Sequence, residues 1–95
     1  MTRREMFEKA LARCERLRSR YPHDQAIVSI IAQVEYLRDL EEGVRDDRHR
    51  LEDIIIGILA VREIEVLDPL LAELLYEVEE EVEKMKVRGP SLDNE

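Results

Sequence analysis

The sequence predicts an all-α fold, a small antiparallel four-helix bundle. Three observations lead there. Apolar residues recur every three or four positions through most of the chain, the period of a buried helix face. Charged residues make up 40% of the 95 positions and apolar ones 44%, the balance of amphipathic helices. Glycine and proline number only three each, too few to punctuate the many turns of a β-sandwich or barrel.

Helix 1 is expected over residues 3–20. Thr2 and Glu5 have the spacing of a capping box, in which hydroxyl and carboxylate each take an orphan backbone N–H. Phe7, Ala10, Leu11, Cys14, Leu17 and Tyr21 form its buried stripe. Pro22 ends it by disfavouring helical geometry at Tyr21. Helix 2 is expected over 22–42, with Pro22 in its first turn and Asp24 beside the exposed N–H groups. Ile27, Ile30, Ile31, Val34 and Leu37 are its core face, and Gly43 is placed to end it in the left-handed conformation.

Helix 3 is expected over 48–66, after a connection at 44–47. Leu51, Ile54, Ile55, Ile58 and Leu59 trace one apolar stripe on it, and Ile56, Ala60, Ile64 and Leu67 trace a second on another side. A helix that is apolar nearly all round is an enclosed one. Gly57 in its middle costs ~1 kcal/mol against alanine, for which close approach of another backbone is one return. Helix 4 is expected over 69–88, opened by Asp68 as N-cap and Pro69 at the first helical position. Leu71, Leu74, Leu75, Val78, Val82 and Met85 form its stripe, Glu80 and Lys84 an i,i+4 pair, and Gly89–Pro90 its stop. Residues 1–89 are thus expected to form a single helical domain and 90–95 a flexible tail. The short connections make neighbouring helices antiparallel.

The net charge is −8, which argues against nucleic acid, because phosphate binding requires clustered cations. The charge is uneven: residues 1–20 carry seven Arg/Lys against three Glu, whereas residues 68–95 carry three against nine Asp/Glu. The basic first helix reads as the positive wall of a bundle whose other walls are negative. No apolar run is long enough for a signal peptide or a membrane span, and the lone Cys14 suits a reducing cytoplasm. A cytoplasmic protein with no membrane partner is expected.

The residues offer little chemistry. Gly43, Gly57 and Gly89 lie too far apart for a phosphate loop. One cysteine and two histidines fall short of a zinc site. A carboxylate-bridged metal pair needs two Glu-x-x-His motifs, and the nearest match is Asp46-x-x-His49, in a connection. The expectation is therefore no catalytic, cofactor-binding or metal-binding residue, and no enzyme.

Surface remains. On helix 2, Gln33, Tyr36 and Leu40 lie away from the core stripe; on helix 3, Ile56, Ala60, Glu63 and Leu67 do the same. A tyrosine and branched apolar residues rimmed by acids have the composition of a protein interface, and these seven are the candidate partner-binding residues. Internal packing against helices 1 and 4 would account for both stripes equally well.

Three segments carry a family resemblance: Arg20-Tyr21-Pro22, then Gln33-x-x-Tyr36-Leu37-Arg38, then Ile56-Gly57-x-x-Ala60-Val61-Arg62-Glu63-Ile64-Glu65-x-x-Asp68-Pro69. In this order and spacing they resemble a family of bacterial type VI secretion immunity proteins, small helical proteins that neutralise effector toxins hydrolysing NAD(P)+. The resemblance runs from helix 1 to the start of helix 4. It implies a cytoplasmic antitoxin that binds the toxin domain of a cognate secreted effector and occludes its active site, with no cofactor. The alternative is a homodimeric helical adaptor or secretion chaperone, with the second stripe of helix 3 as its self-interface.

Overall fold

The computed structural model describes residues 1–88; the Gly89–Pro90 stop and the 90–95 tail lie outside the described residues. Among the described residues all regular structure is helical. Helix α1 spans Arg3–Arg20 and α2 spans Gln25–Glu41. A 3-10 turn at Arg48–Asp53 follows, then the short α3 at Ile56–Leu59, which runs on into a π-helical turn at Ala60–Ile64. Helix α4 spans Pro69–Arg88. None of these helices is long and apolar enough to cross a membrane.

The ends of the long helices are set by side chains. At α1, Glu5 N–H donates to Thr2 Oγ1 at 3.1 Å and Thr2 N–H donates to Glu5 Oε1 at 2.8 Å, the expected capping box. Helix α2 begins later than expected, because Asp24 is its cap: its Oδ1 accepts from Ala26 N–H and Ile27 N–H at 2.9 and 3.2 Å. Pro22 therefore lies in the preceding turn. Gly43 adopts φ +79° just past α2, where any side chain would be strained. Asp68 caps α4 by accepting from Leu71 N–H at 3.1 Å. Lys84 pairs with Glu81 at 3.0 Å rather than with Glu80, so the expected i,i+4 pair is an i,i+3 one.

Charge fixes the antiparallel arrangement. At the start of α1, Arg3 bridges Glu41 at the end of α2 (3.4 Å) and Glu81 late in α4 (2.8 Å), while Arg4 meets Glu42 at 3.0 Å. Further along α1, Arg13 reaches Asp68 at the opposite end of α4, 3.3 Å away. The Arg3 cluster is nearly buried, and breaking one member of such a cluster leaves an uncompensated charge. The arginines of α1 thus serve as the positive wall that the charge distribution suggested.

The core is built from the expected stripes of α1, α2 and α4: Phe7, Ala10, Cys14, Ile30, Val34, Leu37, Leu71, Leu75, Val78, Val82 and Met85 are buried. Tyr21, expected to be buried, is 37% exposed, because the chain leaves the helix there. Tyr36 and Leu40, expected at the surface, are buried.

The main difference lies in the third segment. The expected continuous helix at 48–66 is broken at Ile54 and Ile55, whose backbones are extended (φ −73°, ψ 126°) and irregular (φ −129°, ψ 32°). Before the break, Leu51 and Ile54 point inward; after it, Ile56, Ala60 and Ile64 do. The two apolar stripes are therefore used in succession, and the break rotates the chain from one to the other. Spacing by four drifts about 40° per step on an α-helix. The wider π turn, closed by the Glu65 N–H bond to the Ala60 carbonyl at 2.9 Å, brings Ile64 back to the core side.

Burial of Cys14, with Glu15 and Asp68 adding negative charge, pushes its thiol pKa up to about 12. Native protein at pH 8 should therefore leave Cys14 unmodified by a thiol reagent, and urea should restore full labelling. The register of the broken segment has a sharper test. Ile56→Ala should cost about 2–5 kcal/mol by urea unfolding, whereas Ile58→Ala should cost less than about 0.5 kcal/mol. A continuous α-helix in the expected register would make Ile58→Ala costly as well.

Candidate protein interface

Starting a helix leaves N–H groups that no carbonyl within it can reach. At the break the neighbouring helices supply acceptors. Gln33 of α2 takes the Ile55 N–H on its Oε1 at 2.8 Å, and its amide nitrogen donates to Ser29 Oγ at 3.1 Å, which fixes the amide's orientation. From α4, Glu79 Oε1 takes the Gly57 N–H at 3.1 Å. Gly57 explains itself here: a Cβ at this position would lie 3.2 Å from Glu79 Cγ, so the glycine lets the glutamate approach.

The approach to the break is held by Tyr36. Its hydroxyl donates to the Asp47 carbonyl at 2.8 Å, and the guanidinium groups of Arg45 and Arg50 lie over its ring, 4.9 and 5.1 Å from the centroid. Arg45 also grips Asp47 with two hydrogen bonds of 2.7 and 2.6 Å, which holds the Asp47 carboxyl down at about 2. A guanidinium of Arg48 donates to the Met85 carbonyl on α4.

What this scaffold presents outward is apolar. Ile55 is 45% exposed, and Ile58 and Val61 are each 56% exposed. Together they form a ridge. On the α4 side, a hollow of about 470 Å³ is lined by Ile54, Ile55, Gly57, Ile58, Val61, Arg62 and Glu79. On the α2 side, a second hollow of about 480 Å³ lies among Asp24, Gln25, Ala26, Ser29, Leu59 and Glu63.

The candidate residues from the sequence separate accordingly. Ile56 and Ala60 have no exposed surface, and Leu40 and Tyr36 are buried; these four have no face to offer a partner in this conformation. The second stripe of helix 3 is core, which also removes the self-interface assigned to a homodimeric adaptor. Gln33 is half-buried and engaged in capping, Leu67 packs half-buried against the core, and Glu63 is exposed beside the α2-side hollow. The residues missed are Ile55, Ile58, Val61, Arg62 and Glu79. The available signal was Ile54-Ile55-Ile56, three successive β-branched residues that crowd an α-helix.

Reactive groups do not converge. Among the described residues no group of three or more His, Cys, Asp or Glu is arranged to hold a metal ion. Cys14 is protonated and enclosed, and His23 and His49 stand exposed in separate connections. The arrangement offers a shaped, rigid surface for non-covalent contact.

A family model described as Tsi6 matches residues 2–84. The structure of Tsi6 from Pseudomonas aeruginosa is similar to this chain with a TM-score of 0.80 and 29% identity, over 86% of this chain and 95% of that one. A second structure, described as Tse6 in complex with Tsi6, is similar with a TM-score of 0.83 and 29% identity over 100% of both chains. No curated protein matches.

Removing either acceptor at the break should loosen the same segment. Gln33→Ala and Glu79→Ala should each lower stability by about 1 kcal/mol, the usual cost of losing a helix cap. Hydrogen exchange should then quicken at Ile55 and Gly57 first. Unchanged exchange at both amides in both variants would show that the caps do not hold the break.

Proposed function

The chain belongs to the Tsi6 family, and on that premise we propose that it is an immunity protein: it binds the toxin domain of a cognate type VI secretion effector in the cytoplasm and silences it by covering its active site, catalysing nothing itself. The observation that carries this reading is the similarity along the whole chain to a protein whose structure is described as a complex of Tse6 with Tsi6.

The physical character of the molecule suits the task. Silencing a lethal enzyme requires slow dissociation, hence apolar anchors at a well-packed contact, and the ridge supplies them. It also requires fast capture. The resemblance implies a toxin that hydrolyses NAD(P)+, and a site for a phosphate-bearing dinucleotide favours positive charge. A partner of net charge −8 is steered toward such a site. Occlusion then needs no reactive group on the immunity side.

Co-expression with the toxin domain encoded beside this chain tests the reading. The expected result is survival of cells that otherwise lose their NAD(P)+, with the two chains co-purifying. Cell death with no complex recovered would refute it. Association should slow as ionic strength rises past ~0.1 M, where the screening length falls to about 10 Å.

A further inference from the structure

The outward side of α3 is unlike the other exposed apolar positions of the chain. Val44 and Val87 protrude singly, and Val66 and Leu70 flank the start of α4 away from the hollow's lining. Ile55 at the break, Ile58 on α3 and Val61 in the π-helical turn instead follow at intervals of three and share one hollow. That hollow is large enough for a partner's side chain, since an apolar cavity of about 150 Å³ already holds a benzene ring.

The charge around it is one-sided. Glu79 of α4 lines the hollow, and Glu83 of α4 and Glu52 of the 3-10 turn act with it on the Lys86 ammonium and raise its pKa, the Glu83 hydrogen bond most. On the α2 side stand Asp24 and Glu63. Against these carboxylates stand Arg62, which lines the α4-side hollow, and Lys86, which Glu83 holds at 3.1 Å; Asp24 is engaged in capping α2. An apolar centre inside an acidic rim calls for its complement: an apolar side chain flanked by lysine or arginine.

Other occupants fit poorly. In a two-fold dimer the same patch meets itself, so a second copy would press one acidic rim on another. A small molecule needs convergent polar groups to orient it, and the Glu79 oxygen nearest the hollow is already bonded to Gly57 N–H.

We propose that the ridge Ile55–Ile58–Val61 and its α4-side hollow are the seat of the toxin domain, with the hollow taking one leucine, methionine or phenylalanine side chain from a segment whose flanking lysines or arginines pair with Glu52 and Glu63. This rests on the immunity reading and adds to it the face and the chemistry of the partner. Capping by Gln33 and Glu79 holds the ridge in its bound shape beforehand, so little ordering is left for the moment of contact. The apolar anchor governs dissociation and the rim governs association.

The test is binding of the purified toxin domain to the immobilised chain and its variants, followed in real time. Ile58→Asp and Val61→Asp should each weaken binding by about 100-fold or more, the effect of removing a central anchor, mainly through faster dissociation. Ile58→Ser should do the same more mildly, and covers the case in which an aspartate variant fails to fold. Glu52→Lys with Glu63→Lys should slow association several-fold and flatten its salt dependence, leaving dissociation nearly unchanged. Val87→Asp, exposed but off the ridge, should have no effect. Failure of the unaltered chain to bind any toxin domain encoded beside it would defeat the immunity reading itself. Tight binding by the unaltered chain, with Ile58→Asp, Ile58→Ser and Val61→Asp binding equally tightly, would overturn the docking face alone. So would a dimer in sedimentation that Ile58→Asp disperses without altering toxin affinity.

Discussion

Backbone N–H groups exposed by a broken helix must find acceptors, and the third segment of this protein depends on how that demand is met. Gln33 reaches in from α2 and Glu79 from α4, so that Ile55 and Gly57 each have a partner. The Gly57 bond is part-buried and the Ile55 bond exposed, so the Glu79 cap weighs more; an unmade bond at a fully desolvated N–H costs ~1–3 kcal/mol. Without the two acceptors the isoleucine run would gain by closing into a continuous helix. The caps make the break cheap, and the break turns Ile56, Ala60 and Ile64 into the core while leaving Ile55, Ile58 and Val61 outside.

The long helices required no such help, and that is why they were legible from sequence. Thr2 with Glu5 and Asp68 with Pro69 are local signals whose acceptors and donors lie within a few residues of each other, and the structure uses them as read. Gly43 likewise needs only its own backbone freedom. The break depends on side chains 22 positions away in the chain, Gln33 to Ile55 and Gly57 to Glu79, and periodicity within a segment cannot register such bonds. An uninterrupted α period over 48–66 therefore assigned Ile55 and Ile58 to the core and left Ile56 and Ala60 open between core and interface, whereas the first pair is exposed and the second buried. The observation that the segment was apolar on two sides was sound; its physical cause was two successive registers rather than enclosure.

Electrostatics divides the same way between inside and outside. The arginines early in α1 are spent on the fold, binding Glu41, Glu42 and Glu81, and Arg13 secures the start of α4 through Asp68. Acidic residues outnumber basic ones by 23 to 15, and these pairs take cations and carboxylates together, so the rest of the surface keeps the acidic excess. That excess opposes close approach of two copies, while aliphatic side chains stand exposed at Ile55, Ile58 and Val61.

The positions that carry the family resemblance and the positions on the ridge are largely different residues, and this separation has a consequence. Gln33 caps the break, Tyr36 anchors the approach to it, Gly57 admits Glu79, and Ile56, Ala60 and Ile64 are core. Each builds the scaffold. Ile55 precedes the resembling segment, and Ile58 falls on one of its open positions. Substitution at an exposed ridge position leaves the caps and core intact and so costs little stability, whereas its effect on a partner's anchor is large. On the proposed docking face, contacts with a partner can thus change without a change of fold. The broken helix is the device that permits it, because an unbroken one would have placed Ile55 and Ile58 inside the molecule, where any change of contact would also be a change of core.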